Sequence, residues 1–269
     1  MLRLGACLLF FSIAVTAFAD TEAARSLYLS GDHMHAIQEA EPAALKGDVE
    51  AQVIMGLVLS DGREITPDYN VAAQWFERAI QQGSADAQYS LAMLHLDGKM
   101  EIPDLGVAID LLQKAAAQNF SPAQYRLGFQ YVEGIGVEQD VEHGIALYVM
   151  AAEQGEVEAL YQLGVLFDNG LGIPCDPERA FHFLSEAAIS GEVRALNALG
   201  AMYASGRAVG RDNVMAYTLY YLATQRGDMV ARTNMAMLGR SMSRSEVREA
   251  RSLAAEWKPG NALPVRRGH

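Results

Sequence analysis

Small and apolar residues recur along the chain in one pattern, clearest from Asn119 to Gln154. Ala123, Leu127-Gly128 and Tyr131 fall at helical spacing, and Gly134-Ile135-Gly136-Val137, Asp140 and Ala151-Ala152 follow. The series returns as Ala159, Leu163-Gly164, Phe167, Gly170-Leu171-Gly172-Ile173, Asp176 and Ala187-Ala188, then as Ala195, Leu199-Gly200, Tyr203, Gly206, Asp212 and Ala223. Towards the N-terminus it reads Leu91-Ala92, Gly98, Asp104, Ala115-Ala116 and, earlier still, Met55-Gly56, Gly62, Asp68, Ala79. The period, 36 residues from Ala123 to Ala159, has the length of one supersecondary unit stacked on the next. The expected fold is therefore all-α, a solenoid of helix-turn-helix units at 47–82, 83–118, 119–154, 155–190 and 191–226.

Within each unit the first helix starts just after the opening glycine, carries its apolar residues at helical spacing, and stops at Gly62, Gly98, Gly134, Gly170 or Gly206. After an elbow, the second helix is predicted to begin at Asp68, Asp104, Asp140, Asp176 or Asp212. An aspartate in that position caps free backbone amides. Capping accounts for the whole column without a carboxylate site. Trp75, Phe76, Tyr148, Phe183 and Tyr220 on the second helices are expected to fill the space that the small residues leave. A half-unit over 20–46 matches the second half of a repeat and starts the stack. At the other end, 227–257 leaves the register, and Ser243-Arg244-Ser245-Glu246 has the form of a capping box opening a terminal helix to about Trp257. Arg244, Arg248, Glu249, Arg251 and Glu256 give that cap a polar outer face, and 258–269 is expected to be a disordered tail.

Residue by residue, Ala123, Leu127-Gly128, Tyr131, Gly134, Gly136-Val137, Asp140, Tyr148 and Ala151-Ala152 resemble the Sel1-like repeat, a relative of the tetratricopeptide repeat. The resemblance runs from Asp32 to about Trp257 and implies a right-handed α-solenoid. The first two full units depart from it, with Leu59 and His95 at the tyrosine column and Glu64 and Met100 at the second glycine, so their elbows are expected to differ. The resemblance also implies a binding scaffold with no fixed reaction, acting in signalling, envelope assembly or host contact. Some secreted relatives carry a disulfide in each unit. This sequence has none, so their properties do not transfer.

Composition changes this picture in three places. Residues 1–19 carry one cation, Arg3, an apolar run from Leu8 to Val15 and then Ala17-Phe18-Ala19, the pattern of a cleaved secretory signal. Cleavage after Ala19 would place the mature chain in the periplasm or outside the cell, and no later stretch reads as a transmembrane segment. The formal net charge of −12 becomes −13 once Arg3 is removed, which argues against nucleic acid as a partner. The mature chain keeps only Cys175, so no intrachain disulfide is expected. That thiol is either idle or a point of intermolecular bridging.

Positions six and ten residues after each opening glycine lie one turn apart on the same face of the first helix. One column holds Val53, Tyr89, Tyr125, Tyr161 and Asn197; the other holds Leu57, Met93, Phe129, Val165 and Ala201. With Asp61, Asp97, Glu133 and Asp168 at the edge, Tyr89, Met93, Tyr125, Phe129 and Tyr161 form a candidate protein-binding groove for a peptide or helix. The same aromatics also suit packing between units, and both readings stand at this stage. No nucleophile-base pair or paired carboxylates are apparent, His95, His143 and His182 fall in different columns, and His33 with His35 makes a poor metal pair. No catalytic residue, cofactor or metal is therefore assigned. The function expected is a non-enzymatic adaptor for an envelope or secreted protein, regulating a membrane sensor or an assembly, with a homo-oligomer compatible. The alternative is a peptidoglycan or polysaccharide binder, or a cell-wall hydrolase with a site drawn from distant positions.

Overall fold

A computed structural model describes residues 21–264; the expected leader, its cleavage position and the end of the tail lie outside these residues. The helices are α1 (residues 21–30), α2 (His33–Leu45), α3 (Val49–Asp61), α4 (Tyr69–Gln81), α5 (Ala85–Leu96), α6 (Leu105–Ala117), α7 (Ser121–Glu133), α8 (Val141–Ala152), α9 (Val157–Asn169), α10 (Pro177–Ile189), α11 (Val193–Ser205), α12 (Asn213–Gln225), α13 (Met229–Gly239) and α14 (Arg244–Glu256). No strand occurs among the described residues. The chain divides into a first unit, Met1–Leu127, and a second, Gly128–His269.

The aspartate column caps as its position requires. Asp68, Asp104, Asp140, Asp176 and Asp212 accept from the backbone N–H three residues on, at 2.9–3.0 Å, and Asp32 does the same for α2. Each column aspartate also uses its own N–H to close the elbow. Asp68, Asp140, Asp176 and Asp212 donate to the carbonyls of Leu59, Tyr131, Phe167 and Tyr203 at 2.9–3.0 Å. The second repeat alone closes differently, with Asp104 donating to the His95 imidazole at 3.1 Å. Of the two elbows expected to differ, the first therefore keeps the common closing bond in spite of Leu59.

Between repeats, the second helix ends in a left-handed residue. In the first junction Gly47 has φ +96°, and Asp48 N–H reaches back to Ala43 O at 3.0 Å, the six-to-one bond of a Schellman stop. Asn119 (φ +63°) fills this place before α7, one of the few side chains tolerant of that region. The next residue then opens the following helix. Asp48, Ser84 and Asp228 accept from Ala51, Ala87 and Ala231 N–H.

Within the first unit α3 packs on α4, α5 on α6, and α4 on α5; within the second, α9 packs on α10, α11 on α12, and α10 on α11. The pairing rests on a small residue facing a large one. A Cβ added to Gly56 would stand 2.4 Å from the Phe76 ring, one on Gly164 2.5 Å from Leu184 Cγ, and one on Gly200 2.6 Å from the Tyr220 ring. Gly128 faces Tyr148 in the same way, at 2.9 Å. Phe76, Tyr148, Leu184 and Tyr220 are buried, whereas Phe183, expected in the core, is half-buried and stacks on Phe167 at 5.8 Å. Phe183 lies one residue off the buried column, and Leu184 takes that place.

The C-terminal cap forms as the sequence indicates. Ser243 and Glu246 make a reciprocal capping box, and α14 packs on α12. Residues 258–264 correct the expectation of a disordered tail. Gly260 N–H donates to Ile189 O at 2.7 Å, and Trp257 Nε1–H to Asn261 O at 3.2 Å, so this stretch is held against α10 and α14.

Gly164→Ala should destabilise the protein by roughly 1–3 kcal/mol, because a methyl group must displace Leu184. Asp140→Ala should cost about 1 kcal/mol through the lost cap. Urea unfolding checks both, and unchanged midpoints would mean that the close contacts or the cap do not contribute to stability.

Candidate functional site

The first helices carry the expected columns, and the structure shows how each residue is held. In the first unit Val53 is buried, while Leu57, Tyr89, Met93 and Tyr125 are half-buried. The Tyr89 ring meets Phe120 edge-on at 5.7 Å. Asp97 caps α5 with its backbone and leaves its carboxylate exposed. Asp61 is engaged by Arg63 Nε at 3.0 Å and stands 3.4 Å from the fully buried His33 ring. One groove of about 510 Å³ opens beside Val53 and Leu57, walled by Tyr28 and Leu29 of α1, with Arg25 and Asp86 at its rim.

In the second unit Phe129 is half-buried and Glu133 exposed. Tyr161 is half-buried because Arg194, from the first helix of the next repeat, lies over its ring at 4.3 Å. Glu192 sets that guanidinium in place through Arg194 Nε and Nη2 at 2.7 and 3.1 Å. Burial pushes the Tyr161 hydroxyl above its ordinary range, with Arg194 pulling the other way. Hydrogen bonding from Arg194 is the main cause holding the Glu192 carboxyl below its usual range. Asp168 is tied by Arg207 Nη2, which reaches its Oδ1 at 3.0 Å and its carbonyl at 2.8 Å. Asn197 receives a hydrogen bond from Asn234 at 3.0 Å.

Tyr89 and Tyr161 therefore serve packing between repeats with one part of each ring, and all three tyrosines of the column keep part of their surface open to solvent. Tyr89, Met93, Tyr125 and Asp97 share the first unit, and Phe129, Glu133, Tyr161 and Asp168 the second. Asp168 differs from Asp97 and Glu133 in that its charge is already paired. Two features escaped the sequence reading. Gln52, Gln88 and Gln124 recur at the repeat period and are buried; Gln52 and Gln88 accept at their Oε1 from Gln82 and Gln118 at 3.0 and 2.9 Å. Leu160 and Leu196 occupy that column in the later repeats. The other feature, the cationic contacts made by Arg194 and Arg207, has no periodic signature.

Other chemistry is sparse. His95 is used in its elbow, the His143 ring packs on Tyr131 at 4.4 Å, and His182 lies 3.6 Å from Glu186. Exposed Cys175 donates to Asp168 O at 3.2 Å. Among the described residues no group of three or more His, Cys, Asp or Glu is placed to hold a metal ion, and no helix is long and apolar enough to cross a membrane.

Helix pairs repeating at this period, closed by the same elbow and junction bonds, define an α-solenoid of the tetratricopeptide-like kind. Five consecutive segments, 49–84, 85–120, 121–156, 157–192 and 193–228, match the Sel1 repeat model. The chain belongs to the Sel1 repeat family, and the matched segments begin two residues after Gly47, Gly83, Asn119, Gly155 and Gly191. Among solved structures, a Sel1 repeat protein from Oxalobacter formigenes is similar at 25% identity and a TM-score of 0.73, over 89% of this chain and 97% of that one. A protective antigen of uropathogenic Escherichia coli with an SLR fold aligns at 22% identity and 0.55, over 90% of this chain and 61% of its own. An immunity protein from Pseudomonas aeruginosa aligns at 20% and 0.53, over 78% and 81%. No curated protein is significantly similar. Sel1 repeat proteins generally act as protein-interaction scaffolds.

Acid should expose the Glu192–Arg194 tie. The folded carboxyl titrates below its unfolded value, so its stabilisation is present above the ordinary carboxylate range and is lost as pH falls through the folded pKa. Urea midpoints followed from neutral pH into acid should fall more steeply for the wild type than for Glu192→Gln. Parallel curves would show that Glu192 is not linked to folding.

Proposed function

We propose that this chain is a non-enzymatic adaptor of a bacterial cell envelope that binds a peptide or protein partner on the exposed faces of its first helices. The observation that carries the reading is the half-exposure of the tyrosine column. Tyr89 is anchored on Phe120 and Tyr161 under Arg194, Tyr125 is half-buried, and each of the three keeps area for a ligand. Ordered aromatic side chains lose little entropy on binding and are favoured anchors at interfaces. Met93 adds an adaptable apolar contact, and Asp97 and Glu133 add exposed carboxylates suited to a partner carrying Lys or Arg. The envelope location rests on the leader pattern ending at Ala19, and regulation of a membrane sensor or of an assembly is the role such an adaptor would play there.

Crosslinking capture from an envelope fraction tests this, with the wild type beside a Tyr89→Ala, Tyr125→Ala, Tyr161→Ala variant whose folding is confirmed by its thermal transition. One protein captured by the wild type and lost with the variant is expected. Capture unchanged in the variant would move the site to another face, and no capture would remove the adaptor reading.

A further inference from the structure

We propose that the elbow edge of the third and fourth repeats is a second docking surface, a groove for a partner segment that sets Lys or Arg beside a bulky aliphatic side chain. It lies wholly within the second unit and uses none of the tyrosine column, so it stands apart from the site proposed above.

Two hollows meet at Glu142. One, of about 550 Å³, has Ile145, Phe167, Ile173 and Pro174 among its walls, with Glu178 lining it as well. The other, of about 740 Å³, is bounded by Tyr131, Val137 and Val141, with Glu138 and Asp140 beside them. The elbow of the fourth repeat packs against α8 at Gly172, where a Cβ would stand 2.7 Å from the Val141 side chain. Each elbow also holds an apolar residue between two left-handed glycines, and these two, Ile135 and Leu171, are 41% and 59% exposed. An apolar floor therefore runs between carboxylates.

Charge selects the occupant. Between Arg126 and Arg179 the sequence holds no Lys or Arg. Arg179 is the only cation among the described lining residues, and its guanidinium is already stacked over the Phe167 ring at 3.9 Å. Glu138, Glu142 and Glu178 are exposed, and among the described residues none of their carboxylates has a hydrogen bond or ion pair. A place in the first turn of α8 and α10 suits Glu142 and Glu178 to the helix dipole, but Glu138 precedes the cap and has no such role. The repeat does not demand it either, since the equivalent positions hold Thr66, Ile102, Pro174 and Gly210. A small cation would meet the carboxylates and leave the floor bare. A Lys or Arg side chain covers both, its methylene stem lying along Ile145 and Ile173 while its head reaches the carboxylates. An aliphatic neighbour in the same segment then covers Ile135 or Leu171.

Fluorescence anisotropy of the purified protein with a short labelled peptide of Gly and Ser that carries Lys-Leu-Lys should show saturable binding that weakens as salt rises. Combining Glu138→Gln, Glu142→Gln and Glu178→Gln should keep the thermal transition and weaken that binding about tenfold. The same charge change made in the first unit, with Glu39→Gln, Glu41→Gln and Glu77→Gln, should leave it unaltered, as should the triple tyrosine variant. A peptide with Ser in place of Leu should bind more weakly. Absence of binding overturns the proposal, and so does equal weakening in the first-unit control or indifference to the Leu. Binding lost in the tyrosine variant but kept in the Glu138, Glu142, Glu178 variant would overturn this groove and leave the first-helix site standing.

Discussion

The close approach of two helices within each repeat is the contact from which the remaining arrangement follows. Gly56 on Phe76, Gly164 on Leu184 and Gly200 on Tyr220 each pair a residue without a side chain with a large one, and none of these glycines has room for a Cβ. In the second repeat Ala92 takes the small position, and Leu112 beside it in the series is fully buried. The ring or branched side chain then fills the volume between backbones, fixing both separation and register. With that distance set, the elbow must be short. The column aspartate serves it twice, its carboxylate capping the second helix and its N–H closing back on the first.

Why the stack can then vary its surface follows from the same economy of contacts. Core positions in a repeat are satisfied by its own partner helix and its neighbours, so residues on the free face of the first helices change without disturbing the pairing. Val53, Tyr89, Tyr125, Tyr161 and Asn197 occupy one column, its three tyrosines set in different surroundings between an aliphatic and an amide side chain. Their contacts are correspondingly individual: an aromatic edge at Tyr89, a guanidinium at Tyr161, an amide pair at Asn197. In the function we propose, recognition resides in that layer.

Most of the fold was legible because its signals are periodic and local. A helix stop at Gly62, a cap at Asp140 and a capping box at Ser243 depend on residues within a few positions of each other. The paired environment of Asp168 was not legible, because Arg207 lies 39 residues away and belongs to no column. Buried Gln52 and Gln88 were missed for a different reason: polarity suggested a surface, whereas their amides meet Gln82 and Gln118 from the ends of the second helices. The same limit applies to the candidate site. Sequence spacing put Tyr89 and Tyr161 on one kind of face, but only the contacts with Phe120 and Arg194 show how much of each ring is already used.

The two ends of a repeating core pose a problem that the repeats cannot solve, since each exposes a face shaped for a neighbour. Polar residues on the last helix were expected to meet it, and Arg244, Arg248 and Arg251 do project from α14. Yet α14 lies over α12, a second helix, and covers only that half of the final pair. The capping box explains the placement: it starts a new helix just after Met242, before the chain has the length to cross to the far side of α13. What remains open is therefore the first-helix half, with Thr233, flanked by Met229 and Met237, in place of the tyrosine and asparagine of earlier levels. An exposed apolar face at this point is a consequence of where the cap helix begins, and a surface left in that state is one on which selection for a contact can act.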